Sequence, residues 1–325
     1  MKLNKKLVGL MGILAVGALV LGACGSSKEA DTKESTTATS STTAEATTLK
    51  VTDGEGNEVE VPNKPTKVVV FDMGSLDTIN QLGAGDSVIA TATDNLPKYL
   101  ADFSSVESAG GIKEPDLEKI NALQPDLIII SGRQQDAKAD LEKIAPTLYL
   151  GVDSTKTWES TKQNIETLGT IFGKEDLATE KIADLETTIT EVKTAAEESG
   201  TKGLTVLVNE GSLSAYGSGS RFGIIHDTFG VAQADENIEV STHGQEVSYE
   251  YVLEKNPDVL FVVDRTQAIG GDDSKNNVAD NELVKQTNAG KNDKVILLQA
   301  DVWYLSGGGI ESTQLMAEDV LKAYK

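Results

Sequence analysis

The sequence predicts a two-lobed α/β protein, each lobe built on a central, mainly parallel sheet flanked by helices, with one long helix joining the two. Three observations lead there. A nine-residue pattern occurs twice, as Pro125-Asp-Leu-Ile-Ile-Ile-Ser-Gly-Arg133 and Pro257-Asp-Val-Leu-Phe-Val-Val-Asp-Arg265. Each copy is a turn, a short branched apolar run and one arginine, as in a buried parallel strand with a cation at its C-terminal end. From Trp158 to about Ser199 nearly every residue is a helix former, with Ile182, Leu185, Ile189 and Val192 recurring at spacings of three and four. The body of 277 residues that begins at Leu49 also exceeds one typical domain.

Residues 1–23 read as a signal peptide. Lys2, Lys5 and Lys6 precede an apolar run from Leu7 to Leu21, and Leu21-Gly22-Ala23-Cys24 has the small residues of a cleavage site. Cys24 is the only cysteine, so a disulfide framework and a thiolate metal site are both excluded. Either it is lipidated as the mature N-terminus, or it follows an ordinary secretory signal by chance. Residues 24–48, rich in Ser, Thr, Ala, Lys and Glu without apolar periodicity, read as a disordered tether that reaches roughly 80 Å when extended. Removing the signal makes the chain three charges more negative than its full-length −22. So acidic a surface does not suit nucleic acid or anionic lipid, and no nucleic-acid partner is expected.

The N-terminal lobe is expected over residues 49–172. Leu49–Pro62 alternates around a Gly-Asn turn and reads as a hairpin. Strands at Lys67–Phe71, Ser87–Ala92, Asp126–Ile130 and Leu148–Leu150 alternate with helices at Ser75–Leu82 and Asp116–Leu123. Gly173 breaks the helical run, which places the linking helix within 173–200 with its core over about 177–199. The C-terminal lobe, 201–325, repeats the grammar. It has a strand at Leu204–Val208, a Gly/Ser loop, helices at Ile224–Phe229 and Tyr249–Lys255, strands at Val259–Val263 and Lys294–Leu298, and a last helix from Ile310 to Tyr324.

Arg133, Arg221 and Arg265 are the only arginines, each expected in a loop at a strand end. A lone arginine is usually a surface ion pair. Three at corresponding sheet edges can converge on one cleft, because ligands of open α/β sheets sit beyond the carboxyl ends of the strands. Guanidinium offers a planar stacking face and a fork of donors, which suits an anion with aromatic rings or several oxygens. Gly217-Ser-Gly-Ser-Arg-Phe-Gly223 lacks the glycine of a dinucleotide loop where Phe222 stands, and it lacks the P-loop ending. Of the two histidines, His226 falls within a helical stretch and reads as structural, whereas His243 sits in a polar loop. Tyr304 is a hard oxygen donor suited to ferric iron, with imidazole a plausible companion. Trp303 and Tyr304 serve equally well as core aromatics. Glu118 and Glu250 each stand fifteen residues before a repeat arginine. They are either helix-start carboxylates favoured by the dipole or acidic knobs that dock a basic partner. No Gly-x-Ser-x-Gly or His-Glu-x-x-His motif occurs, so a hydrolase is not expected. Two histidines and one cysteine do not build a Zn or Mn capture site.

The stretches from Gly110 (Gly-Gly-Ile-Lys-Glu-Pro-Asp-Leu-Glu-Lys-Ile) through Arg133, and Ser214-Ala-Tyr-Gly-Ser-Gly-Ser-Arg-Phe-Gly-Ile-Ile-His226, resemble the substrate-binding lipoproteins of iron–siderophore ABC importers. These are helical-backbone, class III periplasmic binding proteins. The likeness runs from about residue 50 to the end and is greatest to the catecholate branch, the binders of petrobactin and enterobactin-type fragments. The resemblance implies that Arg133, Arg221 and Arg265 neutralise and stack on ferric catecholate. It implies that His243 and Tyr304 complete the iron shell of a bis-catecholate, and that Glu118 and Glu250 dock on the permease. It further implies a monomeric, non-catalytic protein without an intrinsic cofactor. Cys24 would be lipidated and anchored to the cell membrane, as on a Gram-positive surface, beside a permease dimer and its ATPase. A ferric tris-catecholate carries −3, which three arginines balance; a bis-catecholate carries −1 and leaves two coordination positions for His243 and Tyr304. Haem or a hydroxamate siderophore is the alternative ligand class.

Overall fold

The chain enters the fold through a hairpin, β1 (Thr48–Thr52) paired antiparallel with β2 (Glu58–Pro62). The computed structural model describes residues 47–325. The expected signal segment, Cys24 and the tether up to residue 46 lie outside the described residues. Within the described residues no helix is long and apolar enough to cross a membrane.

The first lobe continues with β3 (Val68–Val70), α1 (Met73–Gln81), β4 (Val88–Thr91), β5 (Glu107–Ser108), α2 (Leu117–Leu123), β6 (Leu127–Ile130), α3 (Lys138–Leu141) and β7 (Thr147–Tyr149). Its sheet has the order β5-β4-β3-β6-β7, and every pairing is parallel. Val68–Val70 and Leu127–Ile130 are buried on both faces, as the unbroken apolar runs required. Two helices follow: α4 (Thr157–Phe172), closed by Gly173 in the left-handed region, and α5 (Glu175–Ser199). At 1.5 Å per residue α5 spans about 37 Å. Its buried stripe is divided. Ala178, Ile182 and Leu185 enter the core of the first lobe, and Ile189, Val192 and Ala196 enter that of the second.

The second lobe comprises β8 (Lys202–Asn209), β9 (Ser212–Tyr216), α6 (Ile224–Asp227), β10 (Ala232–Gln233), β11 (Gln245–Val247), α7 (Tyr249–Lys255), β12 (Val259–Asp264), α8 (Arg265–Ala268), α9 (Asn288–Lys291), β13 (Val295–Leu297), α10 (Ala300–Leu305) and α11 (Ile310–Leu321). Its order is β11-β9-β8-β12-β13, with β10 also on β8. Alternation along β12 sends Val259, Phe261 and Val263 into the core beneath α5 and α11, and Leu260 and Val262 into the core on the opposite face.

The stretch after β8 differs from the expected Gly/Ser loop. Glu210 and Gly211 have φ of +51° and +88°, the two positive values a tight hairpin turn demands, and Ser212–Tyr216 returns antiparallel to β8. Strand β11 adds antiparallel to β9, so this sheet is parallel at β10, β8, β12 and β13 and antiparallel at β9 and β11. The last helix also departs from a purely second-lobe role: Ile310 joins the first lobe's core, and Asp77 of α1 meets the start of α11.

A candidate anion-binding cleft

Arg133 and Arg265 stand just beyond the C-terminal ends of β6 and β12, each at the entry of a short helix rather than in an open loop, whereas Arg221 lies in the turn that follows β9. Arg133 is the second residue of a 3-10 turn (Gly132–Ala137) after β6. The turn is pinned where the Ser131 N–H donates to Gln134 Oε1 at 3.0 Å and the Gln134 amide donates to the Ile112 carbonyl. Arg265 opens α8 directly after β12, and Asp264 caps that helix by accepting the Gln267 N–H at 2.9 Å. Arg221 occupies the turn between β9 and α6, where the Gly219 N–H donates to Asp227 Oδ2 at 2.7 Å.

All three guanidinium groups meet at Tyr304, on the last turn of α10. Arg133 donates through Nη2 to the Tyr304 carbonyl at 2.6 Å and through Nη1 to the Leu305 carbonyl at 3.3 Å. Arg221 Nη2 donates to the same Tyr304 carbonyl at 2.7 Å, and its Cζ lies 4.3 Å from the centre of the Tyr304 ring. Arg265 Nε donates to the phenol oxygen at 2.8 Å, and its Nη1 donates to Asn209 Oδ1 at 2.7 Å. Although the chain carries 51 acidic residues, no carboxylate among the described residues forms an ion pair with any of the three.

The electrostatics follow from that convergence. Burial, and then the like charge of Arg221, hold Arg133 below its ordinary value, with Asp72 and Tyr304 opposing the shift. Burial by itself would raise the Tyr304 phenol. The hydrogen bond from Arg265 and the charges of Arg221 and Arg265 outweigh it, and the phenol lies below the usual tyrosine range. A phenol biased toward phenolate and surrounded by cations is a competent oxygen ligand for a hard metal brought in by an anionic chelator.

A cavity of about 210 Å³ opens here, lined by Asn209, Tyr216, Arg221, His243, Arg265 and Tyr304 among others. His243 is exposed on its loop, and its carbonyl accepts the Tyr216 hydroxyl at 2.9 Å. His226 is apart from this site: its Nδ1 bonds to the Val231 carbonyl at 2.8 Å, and burial holds the imidazole below its ordinary value. A larger hollow of about 370 Å³ flanks β2 and α3, but Asp53, Glu58, Glu60 and Glu142 on its wall oppose an anion.

Glu118 and Glu250 occupy matching exposed positions. Each is the second residue of a seven-residue helix, α2 or α7, whose N-cap is another side chain, Asp116 or Ser248. Capping is thus already done by a neighbour, and neither glutamate makes an ion pair among the described residues. Glu250 is held below its ordinary value by hydrogen bonding to its own backbone and to Ser248. Asn209 and Tyr216 line the cleft but were not signalled by residue type. Their only clue is position, at the two ends of the β8–β9 hairpin.

Residues 68–302 match the family model described as periplasmic binding protein. The chain is 51% identical over 266 residues to the petrobactin-binding protein YclQ of Bacillus subtilis, covering 81% of this chain and 84% of that one. The crystal structure of the latter superposes with a TM-score of 0.84 at 48% identity, covering 86% of this chain and 99% of that one. The iron uptake ABC transporter substrate-binding protein PiuA of Streptococcus pneumoniae gives a TM-score of 0.82 at 45% identity, over 86% and 99% of the two chains. The periplasmic catecholate-siderophore binding protein VctP of Vibrio cholerae gives 0.79 at 31% identity, over 85% and 99%.

Proposed function

The chain belongs to the periplasmic binding protein family, and from that premise we propose that it is the extracytoplasmic receptor of an ABC importer, taking a ferric catecholate siderophore into the cleft and delivering it to a membrane permease. One observation carries the choice of ligand: three guanidinium groups, none paired with a carboxylate among the described residues, converge on one tyrosine. Like charges this close are costly unless an anion is supplied, and catecholate oxygens supply it while their rings stack on the guanidinium planes. Capture, not turnover, is the role assigned here.

Arg133, Arg221 and Arg265 neutralise the complex. When the siderophore leaves two positions of ferric iron open, His243 and Tyr304 fill them with a neutral nitrogen and a phenolate oxygen. Glu118 and Glu250, one per lobe and exposed, are assigned to the permease dimer, which works with its ATPase. Cys24 is assigned as the lipidated residue that anchors the monomer outside the membrane. The test is titration of intrinsic fluorescence with ferric catecholates. Trp303 lies behind Phe222, ring centres 6.4 Å apart, and Phe222 lies under Arg221, so a ligand on Arg221 should quench it. Absence of quenching at micromolar ligand overturns the reading.

A further inference from the structure

The proposed iron ligand His243 is poorly anchored by its own loop. After Ile238, which is buried, the chain runs out to Val240, 62% exposed, and returns at β11. Hydrogen bonds along this stretch are local. His243 N–H donates to Ser241 Oγ at 3.1 Å, Gly244 N–H to the Ser241 carbonyl at 3.4 Å, and Glu239 N–H to Gln245 Oε1 at 3.0 Å. Ahead of the β11 ladder, which begins at Gln245, the exception among the described residues is Tyr216, whose hydroxyl donates to the His243 carbonyl at 2.9 Å.

Tyr216 is itself firmly held. It is 2% exposed, pairs with Thr205 across the β8–β9 ladder, and meets the Phe222 ring edge-on at 4.7 Å. Arg221 lies 5.3 Å from the centre of that same Phe222 ring. One aromatic wall therefore supports an arginine of the cleft on one side and the histidine loop on the other. Gly244, with φ of +75°, lies so close that a Cβ there would sit 2.7 Å from the Tyr216 ring.

We propose that Tyr216 is a positioning residue that holds the His243 loop over the cleft, and that it thereby sets the preference for ferric complexes with open coordination positions. The inference rests on His243 acting as an iron ligand. A ligand on an exposed loop must be ordered before it coordinates, and a fixed phenol bonded to its backbone supplies that order in advance. A siderophore that saturates iron by itself needs no histidine, so only the unsaturated complex should sense Tyr216.

The experiment measures affinities of the full chain for a ferric bis-catecholate and a ferric tris-catecholate, together with the charge-transfer absorbance of the first. The variants are Tyr216→Phe, Gly244→Ala and, as the reference, His243→Ala. Loss of one neutral hydrogen bond should lower the ratio of bis- to tris-catecholate affinity by roughly three- to tenfold in Tyr216→Phe. Gly244→Ala, which pushes the loop from the other side, should move the ratio the same way and shift the absorbance. General damage to the fold would lower both affinities together and leave the ratio unchanged, which overturns the inference. If His243→Ala moves the ratio and Tyr216→Phe does not, the histidine reading stands and the Tyr216 role fails. If His243→Ala leaves the ratio unmoved, both fall, and if the unaltered chain binds neither complex the proposed function falls with them.

Discussion

Asp77 accepts the backbone N–H of Ser312 at 2.8 Å on Oδ2 and that of Glu311 at 3.0 Å on Oδ1, so a side chain of α1 closes the N-terminus of α11, 235 residues along the chain. The carboxyl is fully buried, and burial pushes its pKa up to about 6 against the pull of those N–H donors. Its folded value exceeds its unfolded one, so its contribution is complete below the unfolded pKa and is lost as pH rises through about 6. A rise from 3.8 to about 6 corresponds to about 3 kcal/mol. Relative to Asp77→Asn, which does not titrate, the unaltered protein should lose that much between about pH 3 and about pH 7 in urea unfolding. Parallel stability curves for the two would refute the assignment.

Gly74, one turn earlier on α1, faces the Gly307–Gly309 segment so closely that a Cβ would lie 2.4 Å from the Gly307 carbonyl oxygen. In an open helix Gly→Ala gains about 1 kcal/mol. Here overpacking against backbone reverses the sign, and Gly74→Ala should destabilise by about 1–3 kcal/mol. The midpoint of chemical unfolding reads this directly, and a stabilised variant would show that α1 and the glycine segment are not in rigid contact.

Arg221 stacks on Tyr304 and bonds to its carbonyl with one planar group. Lysine keeps the charge but loses the face and the fork. Arg221→Lys should therefore weaken ferric catecholate by about tenfold or more, the scale of one charge-assisted hydrogen bond. Calorimetric titration checks it; wild-type affinity in the lysine variant would reduce the role of Arg221 to charge alone.

Tyr304 offers a pH signature. Ligation through phenolate releases the phenol proton, so below the phenol pKa, itself lowered by Arg265 and Arg221 against burial, bis-catecholate affinity should rise with pH. By linkage the slope approaches tenfold per pH unit. Tyr304→Phe should abolish both the slope and the associated colour. A slope that survives the substitution would assign the proton elsewhere.

The lobes, the linking helix and the arginines were legible because their signals are local. Leu127–Ile130 and Val259–Val263 are apolar runs too short to be anything but strands, and three arginines among many lysines stand out by rarity. Strand β9 was not legible: Ser212–Tyr216 is short, and Gly211 before it and Gly217 after it read as loop. The convergence on Tyr304 could not be read at all, because it depends on α10 carrying a carbonyl to Arg133 across 171 residues. The clasp of Asp77 on α11 is a contact of the same long-range kind. His243 and Tyr304 stood out by residue type and place, and only their role in completing an iron shell came through the resemblance; their neighbours Asn209 and Tyr216, which hold Arg265 and the histidine loop, carry no chemical label of their own.

The divided stripe of α5 limits how the protein can be re-engineered. A gene fragment cut before Glu175 would strip Ala178, Ile182 and Leu185 from one core, and a cut after Ser199 would leave Ile189, Val192 and Ala196 with nothing to cover. Neither half is a portable module. Anyone grafting this receptor into a biosensor must move the whole body from Thr48 to Lys325, and should place the reporter on the lobes rather than within the helix they share.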